Sequence, residues 1–302
     1  MRTRFAPSPT GDLHLGGAFV ALASWHMARR AAGTFVIRME DLDTPRVVRG
    51  SADRILEDLA WLGLSFDGPL VVQSERSSLY EEALGTLQMR GLTYVCDCSR
   101  SEIAREASAP HEGEESVYPG TCSAKPTDRE LKRAGAVRLR VPNEVVRVND
   151  ALMDPIAQHL AASVGDFVLK RGDGIFAYQL AVTLDDLAME VTDVIRGADL
   201  LASTPRQVHL ATLLGAKPPR YWHLPLVVDA NGERIAKRAP GAHVRGLREA
   251  GVSREEILGE LAHALGITDT SGPSGLDALL RRPSLTRVPR SPWKIPARWQ
   301  QL

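Results

Sequence analysis

Apolar and polar positions along this chain fall into short blocks that switch between a two-residue and a helical period. Residues 3–5 read as strand and are cut off by Pro7 and Pro9. Residues 16–32 are an apolar, alanine-rich stretch in which Phe19, Leu22, Ala23 and His26 recur at helical spacing. A second strand is expected at 34–39, and amphipathic helices at 50–62 and 77–90. Strand-like runs return at 137–141, 167–170 and 191–195. Residues 204–214 read as a helix opened by a capping threonine and Pro205, and 245–265 as one helical segment. Strands alternating with helices predict an α/β fold around a parallel sheet.

The pattern lapses between 100 and 133, where the chain is polar and carries Pro110, Gly113, Pro119, Gly120 and Pro126. An insertion in a nucleotide-binding fold is expected. The halves of the fold would then be 1–95 and 166–240, the insertion 96–165, and a short helical and basic tail 241–302. All three cysteines, Cys96, Cys98 and Cys122, fall in the insertion. Clustered thiols in a reducing compartment favour a metal, zinc above all, because Zn²⁺ takes four S, N or O donors tetrahedrally. Spacing leaves the fourth donor open, with His111, Glu112, Glu114 and Glu115 available. Reduced, part-buried cysteines without a metal are the alternative.

At 302 residues and 44% hydrophobic, the chain can bury a full core. No apolar run reaches the length of a membrane span and the N-terminus shows no apolar signal segment, so the cytoplasm is the expected compartment. Basic and acidic residues balance at 37 each, so net charge gives no argument for a polyanionic partner. Their distribution says more. From Glu233 onward there are twelve basic and seven acidic residues, and residues 281–302 hold six basic and no acidic ones among four prolines, Trp293 and Trp299. That tail either stacks on a single-stranded RNA loop or folds its tryptophans back onto the domain.

Strand, Pro/Gly turn and helix in succession at 3–32 place backbone N–H groups and a positive dipole end where a polyphosphate can sit. His14 can donate to a phosphate oxygen, and Gly16 and Gly17 keep side chains out of the way; a tight turn with a half-buried histidine is the plainer reading. The wider sequence narrows the choice. Residues 4–17, RFAPSPTGDLHLGG, resemble the first signature of glutamyl-type class I aminoacyl-tRNA synthetases. RMEDLD at 38–43, the stretch 176–207 with VIRGADLL, YWHLPLVV at 221–228 and ERIAKR at 233–238 follow at that family's spacing.

This resemblance implies a Rossmann-type catalytic fold with a zinc-bearing insertion, and roles for named residues. His14, Gly16, Gly17 and Lys237 would bind ATP with Mg²⁺, His14 and Lys237 being catalytic. ERIAKR departs from the usual KLSKR: Arg234 replaces the first lysine and Ala236 the serine, which puts ATP affinity in doubt. Glu40 would hold the glutamate amino group, Arg4 and Arg196 its γ-carboxylate, Tyr178 a further contact, and Phe5, Ala6, Pro7 and Ser8 the opposite wall. Charge chemistry suits these roles, since arginine's planar fork fits a carboxylate. Each also has a plainer reading: a helix-start acidic cluster of Glu40, Asp41 and Asp43, an Arg196–Asp199 pair, a core Tyr178. Asp185, Asp186 and Asp193 are expected to serve capping and structure. The zinc pattern of the family, Cys-x-Cys then Tyr-x-x-x-Cys, implies Tyr118 as fourth ligand of one structural zinc.

Only residues 239–302 follow the ERIAKR loop, too few for a helical anticodon-binding region. The resemblance is therefore strongest to the short branch of the family, which attaches glutamate to queuosine in the anticodon loop of tRNA(Asp). L-glutamate, ATP and queuosine-bearing tRNA(Asp) are the implied partners, with no membrane and a monomeric state. A truncated synthetase charging an acceptor end and a non-catalytic tRNA- or amino-acid-binding paralogue are the rival expectations.

Overall fold

The computed structural model describes residues 1–99, 101–103, 117–126, 128–229, 231–233, 242–283, 285 and 287–302. Strand β1 (Arg2–Phe5) leads through the proline turn into helix α1 (Leu15–Arg30), which returns the chain to β2 (Thr34–Met39). Helix α2 (Ser51–Leu62), the short β3 (Val71–Val72) and α3 (Ser77–Met89) complete the first half. Next come β4 (Thr93–Cys96), β5 (Ala136–Leu139), β6 (Val145–Val148), β7 (Ile156–His159), the one-turn α4 (Leu160–Ser163) and β8 (Val168–Lys170). The chain then re-enters the main layer through α5 (Tyr178–Ala188), β9 (Asp193–Gly197), α6 (Thr204–Leu213), β10 (Arg220–Leu224) and β11 (Val227–Val228). Helices α7 (Val244–Glu249), α8 (Arg254–Ala264) and α9 (Leu276–Leu280), strand β12 (Trp293–Lys294) and α10 (Ala297–Gln300) finish it.

The main sheet has the order β10-β9-β1-β2-β3, all parallel. Parallel strands buried on both faces need continuous apolar runs, and Phe35 to Met39 are all buried. From β1 the chain winds outward to β2 and β3, and from β9 outward the other way to β10. Strand order therefore reverses between β1 and β9, and a ligand crevice opens beyond the carboxyl ends of strands at such a reversal. β4, β5 and β8 form a separate antiparallel sheet, and β6 and β7 a hairpin.

One expectation changes in three dimensions and one open choice is decided. Residues 245–265 are two helices, because Gly251 adopts φ +85° and Ser253 starts α8 with a capping box to Glu256. The tail packs into the core of the main sheet layer. Ile257, Leu261, Leu265, Leu279 and Trp299 share one buried cluster with Phe19 and Leu22 of α1, while β12 pairs with β11 and the Trp293 ring stacks on Phe19 at 5.7 Å. The two tail tryptophans therefore fold back onto the domain. Among the described residues no helix is long and apolar enough to cross a membrane.

Helix α7 begins soon after the described residues resume at 242, and three contacts pin its start. His243 bridges to His14, with Val244 N–H donating to the Leu13 carbonyl at 2.9 Å, and Arg245 Nη2 lies 3.4 Å from Asp58 Oδ1 on α2. Asp58 is fully buried, and neither carboxylate oxygen has a hydrogen-bond partner among the described residues. Burial raises its pKa to about 6 against the pull of Arg245. A folded-state value above the unfolded one gives stability that is full below the unfolded pKa and lost as pH rises through about 6. Asp58→Asn is accordingly expected to stand closest to wild type in thermal melts near pH 3.5, below the unfolded pKa, and to exceed it near pH 8, where the wild type holds the charge. Equal melting differences at both pH values would contradict this.

Candidate active site

The crevice beyond β1, β2 and β9 is lined by buried charge. Arg4 Nε donates to Asp186 Oδ1 at 3.1 Å and its Nη1 to the Ile195 carbonyl at 3.0 Å. Arg38, fully buried on β2, donates to Asp186 Oδ1 at 2.7 Å and Glu40 Oε1 at 3.0 Å, and lies 3.6 Å from Asp185 Oδ2. Asp185 is further held by Gln73, Arg76 and Tyr80. One guanidinium thus serves three carboxylates. Burial opposes the Arg38 charge but Asp186, Glu40 and Asp185 outweigh it, so its pKa is raised. Burial likewise opposes ionised Asp186, yet Arg4 and Arg38 hold its carboxyl below the ordinary value. Glu40 ends with the opposite sign: burial raises its pKa in spite of the 3.0 Å contact with Arg38 and the field of Arg4. Sharing Arg38 with two aspartates leaves Glu40 the carboxylate short of positive charge.

Arg196, at the carboxyl end of β9, is the complementary case. Its Nε donates to His223 Nε2 at 3.0 Å, its Nη1 to Gln207 Oε1 at 2.7 Å, and its Nη2 to Thr204 Oγ1 at 2.9 Å. No described partner is a carboxylate, so the expected alternative of an Arg196–Asp199 pair does not form. Thr204 is not the cap of α6 either: Ser203 takes that position, and Thr204 turns its hydroxyl to the arginine. Tyr178 stands at the start of α5, 37% exposed, within the fields of Glu40, Arg196 and Arg4. Arg4, Glu40, Tyr178 and Arg196 therefore converge on one crevice.

Along its edge the proline turn is tied down. Glu40 N–H donates to the Pro7 carbonyl at 2.9 Å, Phe5 is buried in the core, Ala6 and Pro7 are half-buried and Ser8 is exposed. His14 caps α1, its Nδ1 accepting from Gly17 N–H at 2.9 Å, which puts the ring proton on Nε2. A Cβ on Gly16 would lie 3.1 Å from His14 Nδ1, and one on Gly17 would lie 2.9 Å from Leu13 Cδ1. These glycines make room for the histidine cap as well as for a ligand. Lys237, Arg234 and Ala236 lie outside the described residues.

The three cysteines are free thiols whose sulfurs all lie within 4.8 Å of one another, with Cys98 and Cys122 Sγ 3.5 Å apart. Tetrahedral zinc with bonds of about 2.3 Å needs sulfurs about 3.8 Å apart, so the donor set fits. Tyr118 Oη is 3.3 Å from Cys96 Sγ and accepts from Cys122 N–H at 2.8 Å. Burial, followed by Cys122 and Cys96, pushes the Cys98 thiol up to about 12, a penalty that a cation among the sulfurs removes. Arg138 stacks 3.8 Å over the Tyr118 ring, and Arg129, paired to Asp97 at 2.7 Å, reaches 3.6 Å from Cys122 Sγ. Positive charge thus already flanks a site that anionic ligands would make negative. The cluster can bind a metal such as zinc. His111, Glu112, Glu114 and Glu115 lie outside the described residues.

Residues 1–286 match the family model described as tRNA synthetases class I (E and Q), catalytic domain. The chain belongs to this family. It is 44% identical over 311 residues to a glutamyl-Q tRNA(Asp) synthetase of Nitratidesulfovibrio vulgaris, covering 98% of this chain and 96% of that one. A namesake from Geobacter sulfurreducens is 52% identical over 237 residues, covering 78% and 74%. Among solved structures, a glutamate tRNA ligase from Elizabethkingia meningosepticum in complex with its amino acid superposes with TM-score 0.82 at 25% identity, over all of this chain and 68% of that one.

Several residues of this synthetase-family crevice were not assigned to it from the sequence. Arg38 left a signal, as a lone charge in the apolar strand FVIRM, and so did Asp185 and Asp186 in the apolar helix YQLAVTLDDLA. Both aspartates are structural but cap nothing; they neutralise buried arginines. His223, Gln207 and Asp150 carried no local signal, since only the fold brings them to Arg196.

Proposed function

We propose that the protein activates L-glutamate with ATP and transfers it to queuosine in the anticodon loop of tRNA(Asp). The observation that carries the activation step is a pair of incompletely matched charges in one crevice, Glu40 and Arg196. Glu40 has only an arginine that it shares with two aspartates and suits the substrate ammonium; Arg196 lacks a carboxylate among the described residues and suits the γ-carboxylate, with Arg4 and Tyr178 alongside. Phe5, Ala6, Pro7 and Ser8 form the facing wall. Glutamine would leave the Arg196 charge unmatched. The names of the relatives, similar over nearly the full chain, support the acceptor.

The substrate α-carboxylate attacks the α-phosphorus of ATP in line, forming glutamyl-adenylate and releasing pyrophosphate. Mg²⁺ arriving with ATP would neutralise phosphate charge. Backbone N–H groups at Leu15 and Gly16 and the Nε2–H of His14 would meet the phosphates, with Gly17 held by the His14 cap and Lys237 supplying a further cation. A hydroxyl of the queuosine cyclopentene ring then attacks the mixed anhydride and AMP leaves. Orientation supplies much of this rate because the adenylate is already activated. Cys96, Cys98, Cys122 and Tyr118 would hold one structural zinc that braces an RNA-facing insertion, residues 96–165, between catalytic halves at 1–95 and 166–240. The enzyme would act as a cytoplasmic monomer.

The test supplies labelled glutamate, ATP and total tRNA. Label is expected on tRNA(Asp) alone, to persist after the 3′-terminal nucleotide is removed, and to vanish with tRNA lacking queuosine. Label lost with the 3′ end would indicate acceptor charging, and no label a non-catalytic protein.

A further inference from the structure

Arg196 is held by a line of buried groups that begins outside the sequence motifs. Just after β6, Asp150 lies along the free edge of β10, bridging to Tyr221, and Ala151 N–H donates to the Tyr221 carbonyl at 2.9 Å. Asp150 Oδ1 accepts from the N–H groups of Leu152 at 3.0 Å and Met153 at 2.9 Å, which fixes its rotamer. Its Oδ2 meets His223 Nδ1 at 2.6 Å, both side chains fully buried. His223 Nε2 in turn meets Arg196 Nε at 3.0 Å. An arginine Nε can only donate, so Nε2 accepts and the ring proton sits on Nδ1, donated to Asp150.

We infer that Asp150 and His223 are positioning residues for glutamate recognition: they lock the plane of the Arg196 guanidinium without neutralising it. This rests on the assignment of Arg196 to the substrate γ-carboxylate. A carboxylate directly on Arg196 would compete with the substrate anion, whereas a neutral imidazole acceptor orients the fork and leaves its charge available. Gln207 and Thr204 restrain the two Nη atoms in the same way. Of the five N–H donors, one then has no acceptor among the described residues and another has only the Leu200 carbonyl at 3.4 Å; those two remain for a ligand. The Tyr221 ring, 5.1 Å from the guanidinium and stacked near-parallel to His223, closes one side.

Asp150→Asn replaces an acceptor-only group by an amide that can donate to Nδ1. The histidine proton can then move to Nε2 and oppose the Arg196 Nε–H. The two ends of the imidazole can be separated: His223→Gln keeps an acceptor near the Nε2 position, whereas His223→Asn keeps only the contact toward Asp150. Steady-state ATP–pyrophosphate exchange reads the effect. Asp150→Asn and His223→Asn should raise the glutamate KM by roughly 10- to 100-fold, as for a lost hydrogen bond to a charged group, with the ATP KM and kcat within about threefold of wild type. His223→Gln should recover most of the loss. Unchanged glutamate KM in both Asn variants, or glutamate and ATP KM rising together, would overturn the inference. If Asp150→Asn does not fold by circular dichroism, the two His223 variants decide, and equal KM values for them would overturn it. Wild-type protein without glutamate-dependent exchange would overturn the pocket assignment itself, and this inference with it.

Discussion

Arg196→Ala should lower kcat/KM for glutamate in ATP–pyrophosphate exchange by on the order of 100-fold or more, while the KM for ATP stays near wild type. Truncating one partner of a buried, hydrogen-bonded charge pair costs about 2–5 kcal/mol, and each 1.4 kcal/mol is about tenfold. The substrate γ-carboxylate would then enter a crevice whose remaining arginines are occupied, Arg4 by Asp186 and Arg38 by three carboxylates. Glutamate and glutamine should become nearly equal, poor substrates. Arg196→Lys, which keeps the charge and loses the fork, should fall between. Retained preference for glutamate in the alanine variant would move γ-carboxylate recognition elsewhere.

Cys122→Ser should remove the metal. Elemental analysis is expected to find one zinc per chain in wild type and almost none in the variant, since three thiolates supply most of the affinity. The 117–126 segment should then become protease-sensitive, and transfer to tRNA should fall more than glutamate activation. Tyr118→Phe should weaken retention only in part, although it also takes the acceptor from Cys122 N–H. Metal-free wild type with full transfer activity would remove zinc from the account. Metal kept in Tyr118→Phe but lost in His111→Ala would transfer the fourth ligand position to His111.

Local pattern was enough for most elements, because strands buried on both faces and helices buried on one must write their periods into the chain: 34–39 reads as strand and is strand. Pattern also carried the motifs that resemble the synthetase family, since a proline turn, a histidine cap and two small residues must be contiguous to build a helix start. It failed where a short cap decides. The apolar period runs through Gly251 and Ser253, but a left-handed glycine and a capping box cut the helix in two. Trp293 and Trp299 look alike in the sequence whether they face RNA or the core; packing against α1 settled it.

The division between sequence and tertiary structure is sharpest in the crevice itself. The sequence by itself determined which ionisable groups are present and on which strand ends they sit, because motif, strand length and turn are local properties. It could not determine the net charge each group is left with. That depends on partners distant in sequence: Arg38 reaches Asp186 across 148 positions, and His223 reaches Asp150 across 73. Only the tertiary structure decided that three carboxylates share Arg38, leaving Glu40 short of positive charge, and that neutral acceptors surround Arg196, because charge compensation in a buried site is set by geometry over a few ångströms and not by order along the chain.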